Sequence, residues 1–187
     1  VYAIVEYIIS GAQKGKEILR LDRWGLRAAK REELEMKAGG MTIPTKTETI
    51  MDGEFTYALD RDKNTATKTT NQMLTQITAK HETKDLAEIG ERTLKAMGAK
   101  KTGTEIFLGK KCDIWEVTNL GTRMLVYKGL VLNSKTSMAG MTIIREATKF
   151  EENAKISEEK LTVPSTMEIS EGGNPMDILK QLKKKKN

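Results

Sequence analysis

Apolar residues along most of this chain recur at every second position, the period of a β-strand with one buried face. The clearest run covers residues 102–133 and turns at 109–111 and at 119–121. Similar runs fill much of the first seventy residues, where Asp52-Gly53 is a strong hairpin signal. The pattern predicts a meandering antiparallel sheet.

The period changes between residues 71 and 98. Two groups of apolar residues fall there at helical spacing, and Gly98 follows as a C-cap. The groups are Met73, Leu74 and Ile77, then Leu86, Ile89, Leu94 and Met97. We expect two short helices that cover the sheet and do not form a separate domain.

Strands resume at Thr104. Three further strands are predicted over 124–132, 141–150 and 153–163, the last ending at Pro164, which cannot donate to a β-ladder. Asn174-Pro175 then suits the N-cap and first position of a final helix.

The predicted fold is therefore α+β: a single strongly curved antiparallel sheet, an unclosed barrel, with two or three short helices over its concave face. Residues 1–170 form this domain, with the helical insert at 71–98. Residues 171–187 form a C-terminal helix and a lysine-rich tail.

Composition supports one domain with a lean core. The 187 residues are 38% hydrophobic and 31% charged, which suits a sheet with one face in water. Five lysines between 180 and 186 supply five of the six net positive charges. The body is thus nearly neutral, which argues against a nucleic-acid partner. We expect the lysine tail to be solvated, and contact with an anionic membrane surface is its alternative role.

No residue set for chemistry emerges. His81 and Cys112 are the only residues of their types, too few for a typical zinc or copper site. The spacing of Asp60, Asp62 and Asn64 is like the start of a calcium loop, but Thr65 replaces the required glycine, so a hairpin turn is expected. The sequence predicts neither an enzyme nor a cofactor. Catalysis through Cys112 is the weaker alternative.

The chain opens with Val1 directly in a predicted strand, and its longest apolar run is too short to span a membrane. We therefore expect that an N-terminal leader has been removed. A lipidated cysteine upstream of Val1 would make the protein membrane-anchored.

Residues 108–117, 127–132 and 153–164, followed by Pro164-Ser-Thr-Met-Glu-Ile169, carry a family resemblance. The pattern resembles the periplasmic proteins of the outer-membrane lipoprotein carrier type and their uncharacterised relatives. The resemblance implies an unclosed, curved antiparallel barrel with helices on its concave face. It also implies a periplasmic location and binding of acyl chains or lipidated peptides.

The expected function is non-enzymatic binding or carriage of a lipid, a lipoprotein acyl chain or another apolar ligand between sheet and helices. The predicted lining is Phe55, Tyr57, Leu59, Leu86, Ile89, Leu94, Met97, Ile106, Leu108, Trp115 and Met124. Ten methionines suit either core filling or a plastic lining. The alternative is a protein-interaction or envelope-stress sensor module with a filled interior, which binds through the charged ribbon at residues 26–36.

Overall fold

The computed structural model of the protein describes residues 2–22, 27–38, 41–70 and 86–172. Within these ranges the chain forms twelve strands and one α-helix. The elements are β1 (Ala3–Gly11), β2 (Gln13–Asp22), β3 (Arg27–Ala38), β4 (Met41–Asp52), β5 (Phe55–Asp60), β6 (Thr65–Thr70), α1 (Leu86–Ala96), β7 (Lys100–Phe107), β8 (Lys110–Val117), β9 (Thr122–Tyr127), β10 (Leu130–Met138), β11 (Met141–Glu152) and β12 (Glu168–Glu171).

All twelve strands belong to one unclosed sheet, in the order β12-β6-β5-β4-β3-β2-β1-β11-β10-β9-β8-β7. Neighbours are antiparallel except β12, which pairs in parallel with β6. The predicted α+β class is wrong. The described residues are nearly all β, with a single helix in place of two or three covering helices, and the sheet is mixed.

One face of the sheet carries the main core, and we call it the core face. Alternation along β1 buries Ala3, Val5 and Tyr7 on this side, because successive strand side chains point to opposite faces. The same cluster continues through Leu19, Leu21, Ala28, Cys112, Leu125, Leu132 and Ala147. The core face therefore runs from β3 to β8.

The opposite face, which we call the cleft face, carries two smaller clusters. Leu94 of α1 packs there against Trp115, Met124 and Val126. Because Leu125 belongs to the core face, the middle of β9 is buried on both sides.

The second cluster lies under residues 153–167, which we call the crossing segment. Fully buried Leu161 packs against Ala29 and Ile50. The chain leaves β11 in the middle of the sheet, crosses the cleft face and joins the far edge as β12. This crossover explains the parallel pairing. The predicted strand over 153–163 is wrong, since only a short 3-10 turn at Glu158–Lys160 is regular there.

Three hairpins turn on a non-glycine residue followed by glycine, both with positive φ: Leu108-Gly109, Lys128-Gly129 and Ala139-Gly140. This is the geometry of a type I′ turn, which matches the twist of antiparallel strands. The single strand predicted over 124–132 is therefore wrong, because Lys128-Gly129 divides it into β9 and β10.

The second predicted helix of the insert is confirmed as α1. Gly98 follows it with φ +79°, as its predicted role as a cap requires. The predicted helix over 71–80, His81, the C-terminal helix and the lysine tail lie outside the described residues.

Candidate functional site

A cleft of about 530 Å³ opens on the cleft face, between β1–β4 and the crossing segment. Ile8 of β1, Ile18 of β2 and Ile50 of β4 share this face and give the cleft an apolar floor, with Ile50 buried and Ile8 exposed. Charged residues of both signs surround this floor, namely Glu6, Lys16, Arg20, Arg31, Glu33, Glu48, Arg61, Glu159 and Lys160. The cleft is therefore amphipathic.

A second groove of about 600 Å³ continues from the cleft toward the β1–β2 turn. The two share Ile8, Lys16 and Glu33, and Leu34 and Pro44 add apolar lining farther along. Together they form a continuous path along β1–β4 that leads to one end of the sheet.

Ion pairs neutralise part of the charge around the cleft, whereas Lys16, Arg20 and Lys160 form no ion pair with a described residue. Arg61 Nε donates to Glu48 Oε2 at 2.9 Å, and this hydrogen bond holds the pKa of Glu48 below its usual value. Arg31 pairs with Glu33 at 3.1 Å. Arg20 is half-buried and makes no hydrogen bond or ion pair with any residue that the structure describes. Its positive charge helps to lower the pKa of Glu48, but its N–H groups make no hydrogen bond to a described residue and are available to an anionic group.

A buried ionic cluster lies on the core face behind the cleft. Arg145 Nε donates to Glu17 Oε2 at 2.9 Å, and its Nη2 donates to the other carboxylate oxygen. The guanidinium carbon lies 3.4 Å from the centroid of the Tyr7 ring. The Tyr7 hydroxyl donates to the Val131 carbonyl at 2.9 Å, and burial raises the pKa of Tyr7 to about 12. The cluster joins β2, β1 and β11 beneath the cleft.

Sequence reasoning missed this cluster, although a signal exists. Glu17 has the same strand parity as the buried Leu19 and Leu21, and so points into the core. A charged residue at such a position needs a partner of opposite charge. The identity of that partner, 128 residues away, follows only from the pairing of β1 with both β2 and β11.

A second ionic contact holds the crossing segment over the sheet. Arg27 donates to the buried Asp22 through Nε at 3.1 Å and Nη2 at 2.6 Å. Its Nη1 donates to Glu158 of the crossing segment, and the hydrogen bonds that Arg27 donates to both carboxylates raise its pKa. The wall of the cleft is thus tied to β2 and β3.

The predicted lining residues whose side chains the structure describes lie outside the cleft. Tyr57 and Leu59 pack in the cluster beneath the crossing segment, and Phe55 lies under the Lys68 ammonium, 4.0 Å from its ring centroid. Ile89, Leu94, Trp115 and Met124 are buried. Met97, Ile106 and Leu108 are exposed. Leu86 begins α1, and its side chain lies outside the described residues.

The space beside α1, where a ligand was expected, is small and polar. It measures about 320 Å³, and Glu88, Glu91, Asp113 and Lys128 contribute to its lining. A Cβ on Gly90 would lie 3.0 Å from Gly129 Cα, so α1 approaches the β9–β10 turn almost backbone to backbone. This contact limits the room under the helix.

The described residues offer little for catalysis. They contain no group of three or more acidic, histidine or cysteine residues placed to hold a metal ion. Cys112 is fully buried, and desolvation raises its thiol pKa, which disfavours the reactive thiolate. Among the same residues, no helix has the length and apolar character needed to cross a membrane.

No protein-family model matches the chain, and no curated protein is significantly similar to it. Its fold is similar to that of an uncharacterized conserved protein from Thermus thermophilus, with a TM-score of 0.52 and 9% identity over 91% of this chain and 90% of that chain. MucB gives a TM-score of 0.44 and 13% identity over 89% of this chain and 58% of that chain. LprF from Mycobacterium bovis gives a TM-score of 0.38 and 8% identity over 89% of this chain and 90% of that chain. The last two likenesses are too distant to support an argument about this chain.

Proposed function

We propose that the protein binds an amphipathic ligand without catalysis, holding a lipid or lipidated peptide in the cleft beside the crossing segment. The observation that carries this proposal is the combination of an apolar floor with the half-buried Arg20, which has no hydrogen-bond or ion-pair partner among the described residues. From the family resemblance in the sequence, we place the protein in the periplasm.

Each part of the cleft suits one part of such a ligand. Burial of an acyl chain against Ile8, Ile18 and Ile50 contributes about 25 cal/mol per Å² of apolar area removed from water. Arg20 offers planar, charge-assisted hydrogen bonds to a carboxylate or phosphate. The adjoining groove with Leu34 and Pro44 gives a longer chain room to continue toward the end of the sheet.

The first experiment is mass spectrometry of an organic extract from the natively purified protein, followed by uptake of a fluorescent fatty acid. We expect a stoichiometric lipid in the extract. Arg20→Gln should weaken fatty-acid binding at least about tenfold, because it removes a charge-assisted hydrogen bond. Lys111→Gln is the matched control, since Lys111 is an exposed cation on β8 away from the cleft.

Two comparisons localise the ligand. The methyl ester of the same fatty acid should bind wild type and Arg20→Gln equally, because it has no carboxylate for Arg20. Ala87→Trp, which fills the space beside α1, should leave uptake unchanged. Loss of uptake in Ala87→Trp alone would place the ligand under α1 and contradict the proposed cleft.

The second candidate is a protein-interaction or envelope-stress sensor module with a filled interior. The tight core favours it, since Val5, Cys112 and Leu132 are fully buried and α1 packs closely on the sheet. A clean extract together with no fatty-acid uptake would support this candidate.

A further inference from the structure

Six of the large exposed apolar side chains gather at one end of the sheet. Met36, Met41 and Ile43 lie around the β3–β4 hairpin, Leu120 lies in the β8–β9 connection, and Met138 and Met141 flank the β10–β11 turn. The register places these connections at the same end, because β2 pairs Gln13 with Met36 and the Ala12 amide donates to Thr142. We call these six residues the apolar end.

Both hairpins project beyond their neighbours. In the sheet order, β2 and β1 separate β3 from β11, and the β1–β2 turn stops level with Met36 and Thr142. The residues that follow in each hairpin therefore reach farther out. A Cβ on Gly140 would meet no atom within 4 Å, so the tip of the β10–β11 turn has open space at Gly140.

The composition of the β10–β11 turn is unusual. Exposed hairpin turns are ordinarily built from Asn, Asp, Gly and Ser. Here the turn reads Met138-Ala139-Gly140-Met141, and Ala139 takes a positive φ of 52° without the side-chain hydrogen bond that Asn or Asp would supply. Exposed apolar residues in a cluster mark an interaction surface.

Cationic residues predominate in the strands next to the apolar end. Of the eight charged residues in segments 11–16, 33–38, 41–46, 119–123 and 135–142, six are Lys or Arg. Lys14, Lys16 and Lys135 are exposed and form no ion pair with a described carboxylate. Lys135 lies three residues, or about 10 Å, behind Met138 along the strand.

We propose that the apolar end docks the protein on an anionic lipid bilayer. The methionine, isoleucine and leucine side chains enter the interface, and the lysines reach the lipid phosphates. The arrangement suits a membrane because an apolar tip followed by cations matches the order of acyl chains and headgroups. The side chains come from separate turns, which suits a soft bilayer surface better than the fitted face of a protein.

Docking in this orientation also sets the route to the cleft. The groove lined by Ile8, Lys14, Leu34 and Pro44 opens toward the same end. A lipid could therefore pass from the bilayer to the cleft without crossing the sheet. The docking proposal itself does not depend on what the cleft holds.

The test is co-sedimentation of the full chain with vesicles of phosphatidylcholine, with and without phosphatidylglycerol. We expect binding to be stronger with phosphatidylglycerol and to weaken with added salt. The triple variant Met41→Ser, Met138→Ser and Met141→Ser should bind at least about tenfold more weakly, because three apolar side chains no longer leave water. The matched control is Ile106→Ser, Leu108→Ser and Ile169→Ser, which removes exposed apolar groups elsewhere and should bind as wild type.

A second readout is independent of affinity. Since Cys112 is buried, a Met138→Cys variant can be labelled selectively with an environment-sensitive dye. The emission should shift to the blue with vesicles, and a dye at Ile106→Cys should not shift. An unshifted dye at position 138 on vesicle-bound protein would overturn the proposal.

Three other results would also contradict it. One is a wild-type chain that does not bind vesicles. Another is binding that survives in the triple methionine variant but disappears when the lysines at 183–186 are replaced by serine, which would assign the contact to the lysine tail. The third is self-association or capture of a protein that the triple variant abolishes while vesicle binding persists, which would make the apolar end a protein-docking surface.

Discussion

The buried pair of Glu17 and Arg145 allows a prediction with a defined magnitude. The Glu17 side chain is 2% exposed and that of Arg145 is 24% exposed. Removal of one partner from a buried ion pair costs about 3–5 kcal/mol, because the other charge stays desolvated and unpaired. Arg145→Met leaves the more deeply buried charge, that of Glu17, without a partner and should lower the free energy of unfolding by about 4 kcal/mol. Glu17→Met should cost about 3 kcal/mol, since Arg145 keeps the Tyr7 ring and some access to water.

The double variant Glu17→Met and Arg145→Met separates the attraction between the two charges from the free energy needed to remove each charge from water. Replacement of both charges by apolar groups of similar size is often nearly neutral, so we expect its free energy of unfolding to lie within about 1 kcal/mol of wild type. Urea denaturation at neutral pH measures all four proteins of the cycle.

Two results would refute the reasoning. One is an Arg145→Met deficit of less than about 1 kcal/mol, and the other is a double variant as unstable as the sum of the single changes.

Three further predictions test the fold around the cleft. Gly90→Ala should lower the free energy of unfolding by about 1 kcal/mol despite its better helix propensity, because its Cβ would lie 3.0 Å from Gly129 Cα; thermal melting measures the change. Hydrogen bonds from two lysines lower the pKa of Glu152, so its contribution is present at neutral pH and is lost as pH falls through that pKa; Glu152→Gln should unfold with a weaker acid dependence. Leu161→Ala should lower the free energy of unfolding by about 3 kcal/mol and make the crossing segment more sensitive to protease than in wild type. Equal cleavage rates in the two proteins would contradict the role of Leu161 as the anchor of this segment.

The alternating pattern determined most of the strands, because burial of one face is a local property of a strand. Helix α1 and its cap were likewise predictable, since the spacing of Leu86, Ile89 and Leu94 and the following Gly98 are local signals. The divided strand at Lys128-Gly129 was within reach of the sequence too, because a residue followed by glycine between apolar runs is a recognised turn signal.

The candidate site depended on tertiary structure. Residues 153–163 contain apolar positions that suit a strand, yet they cross the sheet, because Leu161 finds its burial on Ala29 and Ile50. Arg20 lies on the same face as Ile50 because the β2–β3 and β3–β4 registers align both residues with Ala29. Glu17 meets Arg145 because β1 lies between β2 and β11. The sequence by itself therefore determined most of the strands and helix α1, since these depend on neighbouring residues, but it did not show that residues 153–163 cross the sheet. The order of the strands, and with it the cleft and the apolar end, followed from contacts between residues far apart in the chain.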